Sequence, residues 1–294
     1  MFGDRINRSW QVAKDSYAVL KANPSLALFP VISGVATVIV SIPFIVALSA
    51  AYMAGKAAHP HTYMQNGFSV GHYALTAAMY FCTYFVVIFF NSALVACAHE
   101  SLQGRPTSIG YGIDMAIKRL PQILGWTLIA STVGLILRMI GERTGIVGAI
   151  VTSLIGMVWN IAVFFVVPCL VIDKESPIAA LKSSTAMLKQ TWGERIILGV
   201  GVSTVFGLIG LFVIFPIVVG ILLLTANLIA LGLILFVVAA LFVLTLAIVG
   251  SAITTIYQTA LYLYSRHGTI PEGFNADYMR NAFQPKPPRK FFAR

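Results

Sequence analysis

Asn91, Trp159 and Asn160 bring the most polar chemistry into the long apolar runs of this sequence. At membrane depth such groups either line a polar cavity or bond one helix to another, the latter worth roughly 0.6 kcal/mol each. We read them as interhelical bonds and keep the cavity as the alternative. His59, His61 and His72 share one stretch, and imidazoles so spaced can hold a divalent metal. No carboxylate or thiol lies among them, so solvated imidazoles are the better reading, and neither a metal nor a cofactor is expected. Cys82, Cys97 and Cys169 are odd in number, lie in or at the end of apolar runs and form no CxxC, which argues against a disulfide framework. No acidic residue lies within an apolar run, whereas a proton-coupled pump needs a titratable group there. The sequence has no GxSxG, HExxH, P-loop or dinucleotide fingerprint. Gly199-Val200-Gly201 opens an apolar run and reads as packing. The expectation is a protein with no catalytic residue, not an enzyme.

The elements that carry these residues follow from composition. Only 10% of the 294 residues are charged and 58% are hydrophobic, against roughly 25% charged in a soluble domain. The charges gather in short patches between apolar runs, so the runs are membrane spans and not one soluble core. They are continuous and not alternating, which favours helices over a barrel. At about 20 residues per crossing, the spans fall near Leu26–Ala54, Tyr73–Ala98, Pro121–Gly141, Gly145–Ile172, Ile196–Leu224 and Leu228–Leu261. Arg138 can snorkel from the end of span three. From Ile196 to Ser265 no residue is charged, and a turn at Thr225-Ala226-Asn227 divides that stretch into two helices. Residues Met1 to Ser25 are amphipathic and do not read as a secretion signal. The fold class expected is therefore all-α: a polytopic membrane protein with six transmembrane helices.

The net charge of +10 suits lipid headgroups better than nucleic acid, since the basic residues flank the apolar runs. Of the 20 Lys and Arg, all but Lys56, Arg138 and Arg143 fall on one side of this topology. The positive-inside rule then places both termini in the cytoplasm, in a bacterial inner (plasma) membrane. An amphipathic stretch precedes three of the spans. Ile6, Trp10, Ala13, Tyr17 and Leu20 form one stripe; Ile109, Ile113, Ala116, Ile117 and Leu120 a second; Ile178, Leu181, Thr185, Leu188 and Trp192 a third. Ser176-Pro177 is an N-cap with Pro at the first helical position, and Asn23-Pro24 and Leu120-Pro121 separate neighbouring helices. The stretches end alike, in Ala18-Val19-Leu20-Lys21, Met115-Ala116-Ile117-Lys118 and Ala186-Met187-Leu188-Lys189. Two readings stand: a threefold repeat of interfacial helix, span out and span back (1–98, 107–173, 176–265) within one membrane domain 1–265, or three unrelated basic loops beside lipid. Residues 266–294 form a basic, Pro-containing cytoplasmic tail.

Several segments resemble a known family. They are Phe2-Gly3-Asp4-Arg5-Ile6-Asn7-Arg8-Ser9-Trp10, Leu28-Phe29-Pro30, Phe90-Asn91-Ser92-Ala93-Leu94, Pro168-Cys169-Leu170-Val171, Ser176-Pro177-Ile178-Ala179-Ala180-Leu181-Lys182-Ser183-Ser184 and Pro271-Glu272-Gly273-Phe274. Together these are similar to a prokaryotic integral-membrane family, domain of unknown function 6159. That resemblance implies a multi-pass topology and no particular activity. More loosely, span four and the helix after it resemble membrane domains attached to some glycerophosphodiester phosphodiesterases. No such catalytic domain is present, so that activity does not carry over.

The function expected is a non-enzymatic membrane component that interacts with lipid, anionic lipid included, or with a protein partner. Arg5, Arg8, Lys118, Arg119, Lys182 and Lys189 are the expected headgroup contacts. A channel or carrier for a small or amphipathic solute is the alternative, and an intramembrane enzyme the third reading.

Overall fold

Long uncharged runs of Ile, Leu, Val and Phe fold as helices because in hydrocarbon each backbone N–H and C=O must find its partner within the segment. The computed structural model describes residues 13–58, 70–143, 145–192, 214–271 and 273–274, the side chains of 58, 142–143, 146–147 and 190–192 excepted. Arg5, Arg8, His59, His61, the first part of expected span five with Gly199, and the tail beyond Phe274 lie outside those residues. Helix α1 occupies residues 13–22, and a 3-10 turn, Pro24–Ala27, leads on to α2 (Leu28–Ala58). Then follow α3 (Val70–Ser101), α4 (Ile109–Lys118), α5 (Leu120–Arg143), α6 (Gly145–Ala162), α7 (Val166–Val171), α8 (Pro177–Trp192), α9 (Ile214–Thr225) and α10 (Ile229–His267). No strand occurs among the described residues.

Among the described residues, five stretches are long and apolar enough to cross a membrane: Pro24–Ala57, Val70–Ser101, Leu120–Gly141, Gly148–Val171 and Ile229–His267. The chain is thus an all-helical, multi-pass membrane protein. Helix α9, a shorter apolar helix, lies in the C-terminal, described part of expected span five.

The chain divides into two compact units. One comprises Leu28–Cys97 and Ser108–Ser184. Its core joins Val95 and Ala96 of α3 to Val167 and Val171 of α7, with Tyr111, Met115 and Ile172 packed on it. Helix α4 starts at Ser108, whose Oγ accepts the Tyr111 N–H at 3.1 Å, as an N-cap serine does. It lies against α3 because Gly112 has no side chain. A Cβ there would stand 2.6 Å from Phe29 Cζ, 2.7 Å from Cys97 Sγ and 2.8 Å from the Ala93 carbonyl. The Cys97 thiol donates to the Ser108 carbonyl at 3.3 Å. Helices α5 and α6 form a hairpin, with Gly141 facing Thr152.

The other unit comprises Met1–Ala27, Ala98–Thr107 and Thr185–Arg294. Helix α9 ends where the sequence places a turn. The Leu228 N–H bonds the Leu223 carbonyl at 2.9 Å and the Asn227 N–H the Leu224 carbonyl at 3.1 Å, with Asn227 at φ 59°. This is the Schellman arrangement, with Asn in the left-handed position. Gly220 and Gly232 then let α9 and α10 approach closely: a Cβ on Gly232 would lie 3.1 Å from the Gly220 carbonyl. Helix α10 has 39 residues and at about 1.5 Å per residue outruns the ~30 Å hydrocarbon. Its buried stretch runs from Ala252 to Leu263, and Gly268 closes it in the left-handed conformation. The turn Pro24–Ala27 packs on α10, and the Ser265 hydroxyl donates to Met187 Sδ at 3.7 Å. Pro271 and Phe274 are buried.

Candidate functional site

Span four is broken. Pro168 has no N–H for the Phe164 carbonyl and its ring crowds that carbonyl, so α6 stops at Ala162 and α7 begins at Val166. Across the break the Val166 N–H turns to the Val163 carbonyl at 3.0 Å. The released groups are taken up by one side chain: Ser184 of α8 donates to the Ala162 carbonyl at 2.7 Å and accepts from the Phe165 N–H at 3.0 Å. Ser184 is fully buried. At the other end of α7, Arg119 Nε donates to the Val171 carbonyl at 3.4 Å, putting a cation at a helix C-terminus, where the dipole favours it. The expected continuous helix Gly145–Ile172 is therefore two pieces. The second, short piece is held at both ends by side chains from the segments around α4 and α8.

The expected polar residues do not share one environment. Asn91 is half-buried on α3, beside the buried Ser92. Trp159 is half-buried and stacks on Trp126 of α5, ring centroids 6.0 Å apart and planes at 17°. Asn160, one position on, is exposed. Hydroxyls along the spans mostly donate to carbonyls one turn back in their own helix: Ser41 to Thr37 at 2.7 Å, Thr83 to Met79 at 2.9 Å, Thr127 to Ile123 at 2.8 Å and Thr259 to Thr255 at 2.8 Å. Small residues recur every fourth position on α10 at Ala247, Ser251, Thr255 and Thr259, of which Thr255 and Thr259 are buried and Ala247 and Ser251 exposed; on α6 a Cβ on Gly156 would meet nothing within 4 Å.

Most basic residues of α1, α4 and α8 lie on exposed faces. On α8, Ala180, Ser184, Met187 and Leu188 are buried while Lys182 and Lys189 are exposed. On α1, Ala13, Ser16, Val19 and Leu20 are buried while Lys14, Tyr17 and Lys21 are exposed. On α4, Gly112 and Ala116 are buried, and exposed Lys118 pairs with Asp114 at 2.6 Å. Arg119 is half-buried and engaged with α7, whereas its neighbour Lys118 is exposed. Among the described residues no group of three or more His, Cys, Asp or Glu could hold a metal.

Two features escaped sequence reasoning. Ser184 sits in the pattern Ser-x-Ala-apolar-Leu-Lys, which recurs at Ser16–Lys21 and could have singled it out. Tyr80 and Tyr84 meet Gly134 in space, and only the Tyr-x-x-x-Tyr spacing hints at it.

A family model of unknown function (DUF6159) matches residues 70–273. That range takes in α3 to α10 but not the opening Phe2–Trp10. A second model, of plasma-membrane choline transporters, matches residues 1–104. No curated protein and no solved structure matches the chain.

Proposed function

The chain belongs to the DUF6159 family, whose function is unknown, and from its own geometry we propose a non-enzymatic plasma-membrane component that engages anionic lipid headgroups through its interfacial helices. In this reading the chain crosses the membrane six times, α9 completing span five, with both termini on the basic, cytoplasmic side. The observation that carries it is the matched partition of α1 and α8. Ser16-Tyr17-Ala18-Val19-Leu20-Lys21 and Ser184-Thr185-Ala186-Met187-Leu188-Lys189 bury the same three positions and expose the same terminal lysine. The same match supports the internal repeat. Each exposed lysine near an anionic surface contributes about 1 kcal/mol, and exposed Tyr17, Ile117 and Ile178 supply apolar anchorage beside them. Hydroxyls turned back onto their own helices leave little to line a water path, which supports a lipid-facing bundle over a hydrophilic channel.

The second reading is a carrier, favoured by the choline-transporter match over residues 1–104 and by the break in span four, since discontinuous helices frame substrate sites in many carriers. Purified protein in liposomes separates the two, with choline as the probe solute. The lipid reading expects flux no greater than in empty vesicles. Robust flux, lost in a folded Asn160→Leu variant, overturns it.

A further inference from the structure

Helix α6 carries a polar group that the packing of its own unit leaves unused. Asn160 is exposed and lies near the middle of the apolar stretch Gly148–Val171. Around it α6 exposes Ile150, Leu154, Met157 and Val158, the surface of a helix against acyl chains. A carboxamide there has lost the hydrogen bonds of water and gains none from lipid tails. Hydroxyls in the spans escape this by turning back onto their own helix, as Thr152 does to the Gly148 carbonyl at 2.8 Å. Among the described residues none hydrogen-bonds the Asn160 carboxamide.

Asn160 also ends a stripe. Ala149, Ser153, Gly156 and Asn160 follow one another at steps of four, three and four, so they share one side of the helix, at the spacing of a left-handed helix–helix seam. Ala149, Ser153 and Asn160 are exposed, and a Cβ on half-buried Gly156 would meet nothing within 4 Å. The adjoining side of α6 is already taken by α5: a Cβ on Gly141 would lie 3.3 Å from Thr152 Oγ1, and Trp159 stacks on Trp126. The stripe is a second, open face, small enough for a backbone to approach and polar at one depth.

The chemistry of Asn160 selects the occupant. A carboxamide both donates and accepts, so it is its own complement. Two copies inserted in the same direction, related by a twofold axis along the membrane normal, bring each stripe residue opposite its counterpart at the same depth. Gly156 of one copy then meets Gly156 of the other, and the two Asn160 side chains exchange N–H···O bonds. One Asn in such a seam fixes register and pairing.

We propose that the Ala149, Ser153, Gly156 and Asn160 face of α6 is a homodimer interface, covered by a second copy of this chain. The full chain, labelled at its N-terminus with donor or acceptor dye and reconstituted in phosphatidylcholine vesicles, reports pairing as energy transfer over a range of protein-to-lipid ratios. Asn160→Leu is expected to weaken pairing about tenfold, the worth of two reciprocal intramembrane hydrogen bonds, and Asn160→Gln less. Gly156→Leu, which the open space tolerates within one chain, abolishes it. A Lys182→Gln, Lys189→Gln double variant pairs like the wild type, which separates this face from the interfacial-helix reading. In native membranes, against the wild type with its own three cysteines as background, Gly156→Cys and Asn160→Cys cross-link the chain to itself on oxidation. Leu154→Cys and Val158→Cys, exposed on the opposite side, do not. Energy transfer no higher than random proximity gives, pairing unchanged in Asn160→Leu and Gly156→Leu, or Asn160→Cys cross-linked only to a different protein overturns the proposal. Should Gly156→Leu fail to fold, the cysteine pattern decides: equal cross-linking from both sides of α6 overturns it.

Discussion

Helices α3 and α10 each have two contrasting halves. In α3 every residue from Ser92 to Ala98 is buried, whereas none from Val70 to Phe85 is. In α10 burial is dense from Ala252 to Leu263, whereas before Gly250 only Gly232 and Ala239 are buried. The buried halves interleave small or hydroxyl residues with large ones: Ser92, Ala93, Ala96, Cys97 and Ala98 with Leu94 and Val95 in one, Ala252, Thr255, Thr259 and Ala260 with Ile253, Ile256, Leu261 and Tyr262 in the other. The open half of α10 is rich in Leu, Ile, Val and Phe, the pattern that would be a core in water. In lipid the acyl chains are as apolar as leucine, so large side chains gain nothing by meeting each other, and helices pack where small residues let backbones approach. In span one no residue from Pro30 to Ala57 is buried, small residues included.

Substitutions that treat the two halves alike in chemistry should separate them in energy. Ile256→Ala, in the dense half of α10, should cost about 2–5 kcal/mol, the range for large-to-small changes in a packed interior, whereas Leu241→Ala in the open half should stay within about 0.5 kcal/mol. Denaturation in mixed micelles measures both, and equal losses would erase the contrast. Gly112→Ala should cost about 1–3 kcal/mol as overpacking against Phe29 and Cys97, while Gly156→Ala, with open space around it, should be neutral. Ser184→Ala strands the Ala162 carbonyl and Phe165 N–H, at about 1–3 kcal/mol. Hydrogen exchange should rise at Phe165 and Val166 while the α10 amides are unmoved. Smallest is Asp114→Asn, which removes an exposed helical ion pair worth about 0.3–0.5 kcal/mol and should vanish in high salt.

Hydropathy made the spans legible because each is a local, continuous property of the chain. The Ser176-Pro177 start of α8 was legible for the same reason: its cap is made within three residues, Ser176 Oγ accepting the Ala179 N–H at 3.4 Å. So was the turn after Thr225, where Asn227 tolerates the left-handed conformation. Pro168 marked a break too, but the apolar run continues through it, and periodicity alone does not reveal that Ser184 rescues the freed backbone. Asn160 shows the limit from the other side. A carboxamide in an apolar run suggests an interior, yet its position on α6 turns it outward, beside a Trp159 that turns inward onto Trp126. The contact of Tyr80 and Tyr84 with Gly134 is non-local, joining α3 to α5, so no spacing rule assembles it.

Lipid selectivity tests the proposed role most directly. The full chain, purified from membranes and presented with equal amounts of phosphatidylglycerol and phosphatidylcholine, is read by native mass spectrometry beside a variant with Lys14, Lys21, Lys182 and Lys189 changed to Gln. Our account predicts that the wild type retains phosphatidylglycerol preferentially and that the variant, still folded, loses most of that preference. Equal retention of the two lipids by the wild type, or a preference untouched by the four substitutions, would contradict it.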